Sequence, residues 1–234
     1  MNHFTIAIDG PAGAGKSTIA KMVASKLGFV YVDTGAMYRS LALHFLRQGI
    51  DPKDEAAIAS SCCNVDVTIR YEDGAQQVIL NGENVSGLIR TEAVGNMASA
   101  TSVYMPVRKK LVELQKQLAE KTNVIMDGRD IGTCVLPDAP AKIYLTASVK
   151  VRAQRRFKEL EAKGISCNIE EIEKDIEERD FRDMHREHSP LKQAKDAVLL
   201  DSSSMTIEEV VEAIIRIAVE RGLGLSEEGT EEGL

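Results

Sequence analysis

The sequence predicts an α/β protein with a parallel five-stranded core sheet flanked by helices, and three observations carry that prediction. A β-branched stretch, Thr5 to Ile8, runs directly into GPAGAGKS and then into the helix-favouring AKMVASKL. Five short apolar segments, in TIAI, FVYV, NVIMD, AKIYLTA and DAVLLDSS, alternate with helical patterns, as parallel strands joined by crossover helices do. Two longer stretches interrupt this alternation: the first has antiparallel β texture, and the second reads as charged helix.

The first segment and its loop set the chemistry. Gly10 to Ser17 satisfies the G-x-x-x-x-G-K-[ST] pattern between a strand and a helix, the context that a phosphate-binding loop of the P-loop NTPase type requires. Gly10, Gly13 and Gly15 carry no Cβ, so the backbone through Pro11, Ala12 and Ala14 can bend its amides onto a phosphate. Lys16 supplies charge to the β and γ phosphates, Ser17 a hydroxyl for Mg²⁺, and the helix through Thr18 aims its positive end at the anion. A glycine-rich turn that merely links strand to helix is disfavoured, because pattern, strand and helix agree.

The helix ends near Gly28, and FVYV leads into DTGAMYR, where Asp33, Thr34 and Gly35 form a capping turn before a helix carrying Met37, Tyr38 and Arg39. From about Asn64 to Val85, VDVTIRY and QQVILNG alternate in polarity around EDGA and read as an inserted hairpin. The stretch from Gly87 to Lys121 reads as helix with a break near Pro106, bracketed by Ser99 and Arg108. The strand in NVIMDGRDIGT ends at Asp127, where an acid beside a phosphate loop organises Mg²⁺ through water, and turns through Arg129 and Asp130. After AKIYLTA, a basic helix places Arg152, Arg155 and Arg156 on one side. The next helix places Arg179, Arg182, Asp183 and Arg186 on one stripe, either as a solvated salt-bridge face or as a mobile cover that brings guanidiniums to phosphates. MTIEEVVEAIIRIAVERG is a final amphipathic helix with Thr206 as its N-cap.

The composition, with 44% hydrophobic and 28% charged residues, is that of an ordinary globular protein, and a net charge of −7 argues against a nucleic-acid partner. Cys62, Cys63, Cys134 and Cys167 show no C-x-x-C spacing, and no signal-type or membrane-length apolar run appears; a reduced, cytoplasmic protein with no membrane partner is expected. The absence of a coiled-coil seam predicts a monomer. The phosphate loop leaves three classes open: a small-molecule kinase, a GTP-dependent switch, and an ATPase module. The lack of an N-K-x-D segment and the arginines placed for a second anion favour the kinase.

GPAGAGKST, DTGAMYR, MDGRDIGT and ERDFRDMHR occur in an order and spacing that resembles the bacterial cytidylate kinases, a family of nucleoside monophosphate kinases, from Thr5 to about Gly222. The resemblance implies transfer of the γ-phosphoryl of ATP to CMP or dCMP. It implies one kinase domain over 1–225, with core segments 1–37, 105–150 and 190–225, a monophosphate-binding insert over 38–104 and a helical lid over 151–189; the acidic tail 226–234 is expected to be disordered. Carried over by motif, Arg39, Arg129 and Arg186 hold the acceptor phosphate. Ser99, Arg108 and Asp130 read the cytosine, Arg179 with Asp183 holds the sugar, and Thr34 and Tyr38 complete the acceptor site. Thr34 stands where the family often has serine, so a hydroxyl persists. Lys16, Mg²⁺ and the lid arginines Arg152, Arg155 and Arg156 compensate charge in the transition state. Uracil lacks cytosine's amino donor, which predicts weaker use of UMP.

Overall fold

The computed structural model describes residues 3–72 and 74–224; the expected disordered tail and Asp73 of the hairpin turn lie outside them. Five parallel strands form the core: β1 (Thr5–Asp9), β2 (Val30–Asp33), and, later in the chain, the strands Val124–Gly128, Ala141–Thr146 and Val198–Asp201. Between them run α1 (Lys16–Leu27), α2 (Thr34–Arg47), α3 (Glu55–Cys63), β3 (Val67–Glu72), β4 (Ala75–Leu80), β5 (Glu83–Asn84), α4 (Glu92–Thr101) and α5 (Met105–Ala119). The strand Val124–Gly128 is β6 and leads into a π-turn, Ile131–Val135; β7 (Ala141–Thr146), α6 (Val149–Ala162), α7 (Ile169–His185), β8 (Val198–Asp201) and α8 (Ile207–Glu220) complete the order.

The core sheet has the order β2-β6-β1-β7-β8. The apolar runs of its three central strands, β6, β1 and β7, are buried on both faces, as a parallel sheet covered by helices requires. Period two sorts the side chains: Ile6, Ile8, Ile125, Ile143 and Leu145 face α1 and α8, while Ala7, Val32, Val124 and Met126 face α2 and α5. The second of these cores continues without a break into the insert through Ile58, Val67, Val78 and Leu80. Thr206 and Glu209 form a reciprocal capping box at the start of α8.

The inserted hairpin is a three-stranded antiparallel sheet, because Asn81 and Gly82, at φ 49° and 86°, make a tight turn that adds β5. Its side chains dress the open edge of β2: the Gln76 amide accepts from the Asp33 amide at 2.8 Å and donates to its carbonyl at 3.2 Å, and the Tyr71 hydroxyl donates to the Tyr31 carbonyl at 3.1 Å. Helix α3, N-capped by Asp54, was not anticipated, since EAAIASSCC has almost no apolar periodicity to betray it.

The lid corrects two readings of spacing. Arg152, Arg155 and Arg156 do not share one environment: Arg152 is buried, Arg155 half-buried and Arg156 exposed. The stripe on α7 ends at Asp183. Arg182 is exposed, its Nε turned back to the Glu178 carbonyl, and Arg186 lies past the helix with extended backbone, its Nε donating to the Ser189 carbonyl at 2.7 Å.

Candidate active site

At the carboxyl edge of the sheet the chain leaves β1 as a loop pressed so closely on β7 that a Cβ on Gly10 would sit 1.9 Å from the Leu145 carbonyl oxygen. Gly15, at φ 86°, is left-handed and opens α1. Lys16 is buried and folds over the loop, its Nζ donating to the Pro11 carbonyl at 2.7 Å. Burial, and then the Arg129 charge, push its pKa down, a penalty that a bound polyphosphate would relieve. Ser17 Oγ donates to Asp127 Oδ2 at 2.7 Å, so the two oxygens expected to organise a magnesium ion are adjacent. Tyr31 donates to the other oxygen of Asp127 at 2.8 Å. Burial, and then the neighbouring Asp33 charge, push the Asp127 carboxyl up, as fits a site built for a cation. Hydroxyl and carboxylate oxygens are the donors that Mg²⁺ prefers.

The lid arginines meet this loop differently. Arg152 lies beneath it: Nη1 donates to the Ala12 carbonyl at 2.9 Å, Nε to the Ala147 carbonyl at 2.8 Å, and Nη2 to Asp180 at 2.6 Å. Asp180 therefore serves a buried pair rather than a solvated face. Arg155 passes over the loop and donates to the Ser202 carbonyl at 2.9 Å, whereas Arg156 pairs on the surface with Glu159 at 3.2 Å.

The other end of the same cleft gathers the acceptor candidates. Asp130 is hydrogen-bonded to Arg108, both about 5% exposed, and Arg108 also donates to the Tyr38 hydroxyl at 3.4 Å. Arg186 Nη2 lies 3.7 Å from the second oxygen of Asp130. Arg129 donates to Asp183 at 2.8 Å. Burial alone would raise the Asp183 carboxyl, but Arg129, and after it Arg179 and Arg186, hold it below the usual carboxylate range. Thr34 spends its hydroxyl proton on the Asp127 carbonyl at 2.6 Å, and Ser99 lines the cleft wall from α4. Arg39 Nε and Arg179 Nε are buried without hydrogen-bond partners and Arg186 Nη2 has only its 3.7 Å ion pair with Asp130, although all three side chains line this end of the cleft. Buried donors are rarely left unpaired, and guanidiniums gathered along one cleft are suited to an anion.

Both ends belong to one cleft of about 720 Å³. Of the residues expected to act, Gly10, Pro11, Arg152 and Arg156 do not line it. Several contributors lay outside the sequence reading. Arg90 reaches Asp33 at 3.2 Å beside Arg39, which pairs with it at 3.3 Å. Ser202, Met205, Ile207 and Val210 wall the far side of the phosphate loop, where an amphipathic helix start held no chemical signal. Asp9, which directly precedes Gly10, accepts from the Ile131 and Gly132 amides, both at 2.7 Å. Burial pushes its carboxyl up to about 6 in spite of those donors.

A protein that only bound or hydrolysed a nucleotide would have no use for the second, arginine-lined end, so fold and cleft together place this chain among the P-loop phosphotransferases. A solved gluconokinase from Sinorhizobium meliloti 1021 shares the fold, with a TM-score of 0.50 at 13% identity over 94% of this chain and 93% of that one. The cytidylate kinase family profile matches residues 6–220, and the chain belongs to that family. Cytidylate kinases from Geobacter sp. (strain M21) and Lactobacillus johnsonii are 48% identical over 94% of each chain, and 51% identical over 91% of this chain and 92% of that one.

Proposed function

We propose that this protein transfers the γ-phosphoryl group of ATP to CMP or dCMP, with the phosphate loop holding the donor and the arginine-lined end holding the acceptor. The observation that carries the assignment is the set of three arginines, Arg39, Arg179 and Arg186, that line the cleft beyond the phosphate loop, with Arg39 Nε and Arg179 Nε buried and without hydrogen-bond partners. In this reading Arg39, Arg129 and Arg186 take the acceptor phosphate, and Arg179 with Asp183 takes the sugar. The Arg108–Asp130 pair, with Tyr38 and Ser99 around it, reads the base: cytosine presents an amino donor beside ring acceptors, which suits a carboxylate facing a guanidinium. Lys16 and the loop amides hold the donor phosphates, with Arg155 above them.

Ser17 and Asp127 would hold Mg²⁺, largely through water, and the ion would supply charge compensation on the donor phosphates. The chain itself needs no general base, because the attacking oxygen belongs to a phosphate whose second pKa is about 6. What the residues contribute is alignment of two anions that repel each other, together with fixed positive charge around the transferred group. The insert 38–104 and the lid 151–189 flank the cleft, and their approach would exclude water and suppress wasteful hydrolysis. The partners in this reading are the two small-molecule substrates, with the protein acting as a monomer, and the four free thiols suit a reduced, cytoplasmic setting. Among the described residues, no helix is long and apolar enough to cross a membrane.

The test is an acceptor screen with ATP and Mg²⁺ against each nucleoside monophosphate. Rapid ADP release with CMP and dCMP, and slower release with UMP, is expected. ADP release that ignores the acceptor would mark an ATPase or a switch instead.

A further inference from the structure

One buried charged group has no part in the mechanism above. Asp9 ends β1, is 4% exposed, and lies on the residue from which the phosphate loop departs. Its two carboxylate oxygens take two consecutive backbone amides, those of Ile131 and Gly132, one oxygen to each at 2.7 Å. These amides open the π-turn, whose later amides, from Cys134 and Val135, close back on the Asp130 carbonyl at 2.8 and 3.2 Å. The peptide that carries Asp130 is therefore held from both sides: its carbonyl by the turn, and the two amides that follow by Asp9. Residue 132 has little room to shift, since a Cβ there would come within 3.2 Å of the Lys142 side chain and 3.4 Å of Asp9 Oδ2. From this clamped segment Asp130 projects to Arg108 and Arg186, and Arg129, one residue earlier, to Asp183.

We infer that Asp9 is a positioning residue for acceptor recognition: it rivets the strand that launches the donor loop to the turn that carries Asp130 and Arg129, setting the distance between the two substrates. The inference rests on the acceptor site proposed above. A carboxylate of this length accepts from the two adjacent amides with a separate oxygen for each. In Asp9→Asn one oxygen still accepts, but the NH₂ faces an amide hydrogen, so one amide is orphaned and the turn must rotate to relieve it. Asp130 then meets Arg108 from a changed angle, while the phosphate loop keeps its own backbone geometry.

The experiment measures initial rates of the full chain and of Asp9→Asn with CMP, UMP and ATP, alongside thermal melting and calorimetric titration of CMP. In the variant, KM and Kd for CMP rise about tenfold and CMP-over-UMP selectivity falls by a similar factor, while KM for ATP stays within about twofold. Gly132→Ala, which crowds the same junction from the opposite side, shifts these quantities in the same direction and serves where Asp9→Asn does not fold. A merely structural Asp9 would lower the melting temperature and the active fraction but leave KM, Kd and selectivity unchanged, and that result overturns the inference. Failure of the unmodified chain to phosphorylate CMP would instead remove the acceptor reading itself.

Discussion

Replacing Asp130 by alanine tests the base-reading role most directly, and the structure sets the scale of the effect. Asp130 is the counter-charge of two guanidiniums: Arg108, hydrogen-bonded to it and itself about 5% exposed, and Arg186 at 3.7 Å. Stripping one partner from a buried ion pair costs about 3–5 kcal/mol of stability, so Asp130→Ala is expected to melt well below the parent. Asp130→Asn keeps an acceptor for Arg108 and a milder cost. For catalysis, a hydrogen bond to a charged group is worth about 1.5–3 kcal/mol, which is roughly 10–150-fold in kcat/KM for CMP. Asp130 makes no hydrogen bond to the phosphate loop, so KM for ATP should move little. The assay follows ADP release with CMP varied at saturating ATP and the reverse, on protein whose folded fraction is fixed by melting curves. Equal losses toward CMP and ATP, or an unchanged CMP-to-UMP ratio, would refute the assignment of Asp130 as base reader.

Lys16→Ala should leave the fold intact and lower turnover about a hundredfold or more, because a fixed charge at the donor phosphates is lost; near-normal turnover, read in the same assay, removes Lys16 from the chemistry. Arg156→Ala should leave the melting temperature unchanged, since its one ion pair among the described residues is an exposed one with Glu159; a fall in kcat with unchanged stability then reports that lid closure carries Arg156 to the transferred group. Arg152→Ala, by contrast, strands Asp180 and frees the Ala12 carbonyl, and should raise KM for ATP and lower the melting temperature together. The depressed Asp183 carboxyl sets a pH signature. Its stabilising link to Arg129 is fully present above the ordinary carboxylate value of about 3.9 and is lost as pH falls through its own lower value, so the stability gap between the parent and Asp183→Asn, measured by urea titration, should close on acidification rather than on raising the pH.

What the chain discloses without its structure divides along the range of the interaction. The phosphate loop, the Asp33 cap on α2 and the apolar strand Ile6 to Ile8 depend on residues within a few positions of one another, and composition and motif expose them. The proposed acceptor site was visible only where motifs carried it, because its pairings join distant parts of the chain: Arg108 to Asp130 bridges 22 positions and Arg129 to Asp183 bridges 54. Spacing on a helix states which side chains share a face but not which way the face looks, and so Arg152 and Arg156 appeared equivalent although one is locked beneath the loop and the other stands in solvent. Asp9 is the extreme case. Beside a glycine motif it reads as a strand-end acid, and its partners lie 122 and 123 positions away, made adjacent only by the pairing of β1 with β6 in parallel register, Asp9 opposite Gly128. That register is the physical reason the two ends of the cleft meet: neighbouring parallel strands deliver the phosphate loop and the Arg129–Asp130 turn to the same edge, and the Asp9 carboxylate ties one to the other where the ladder ends.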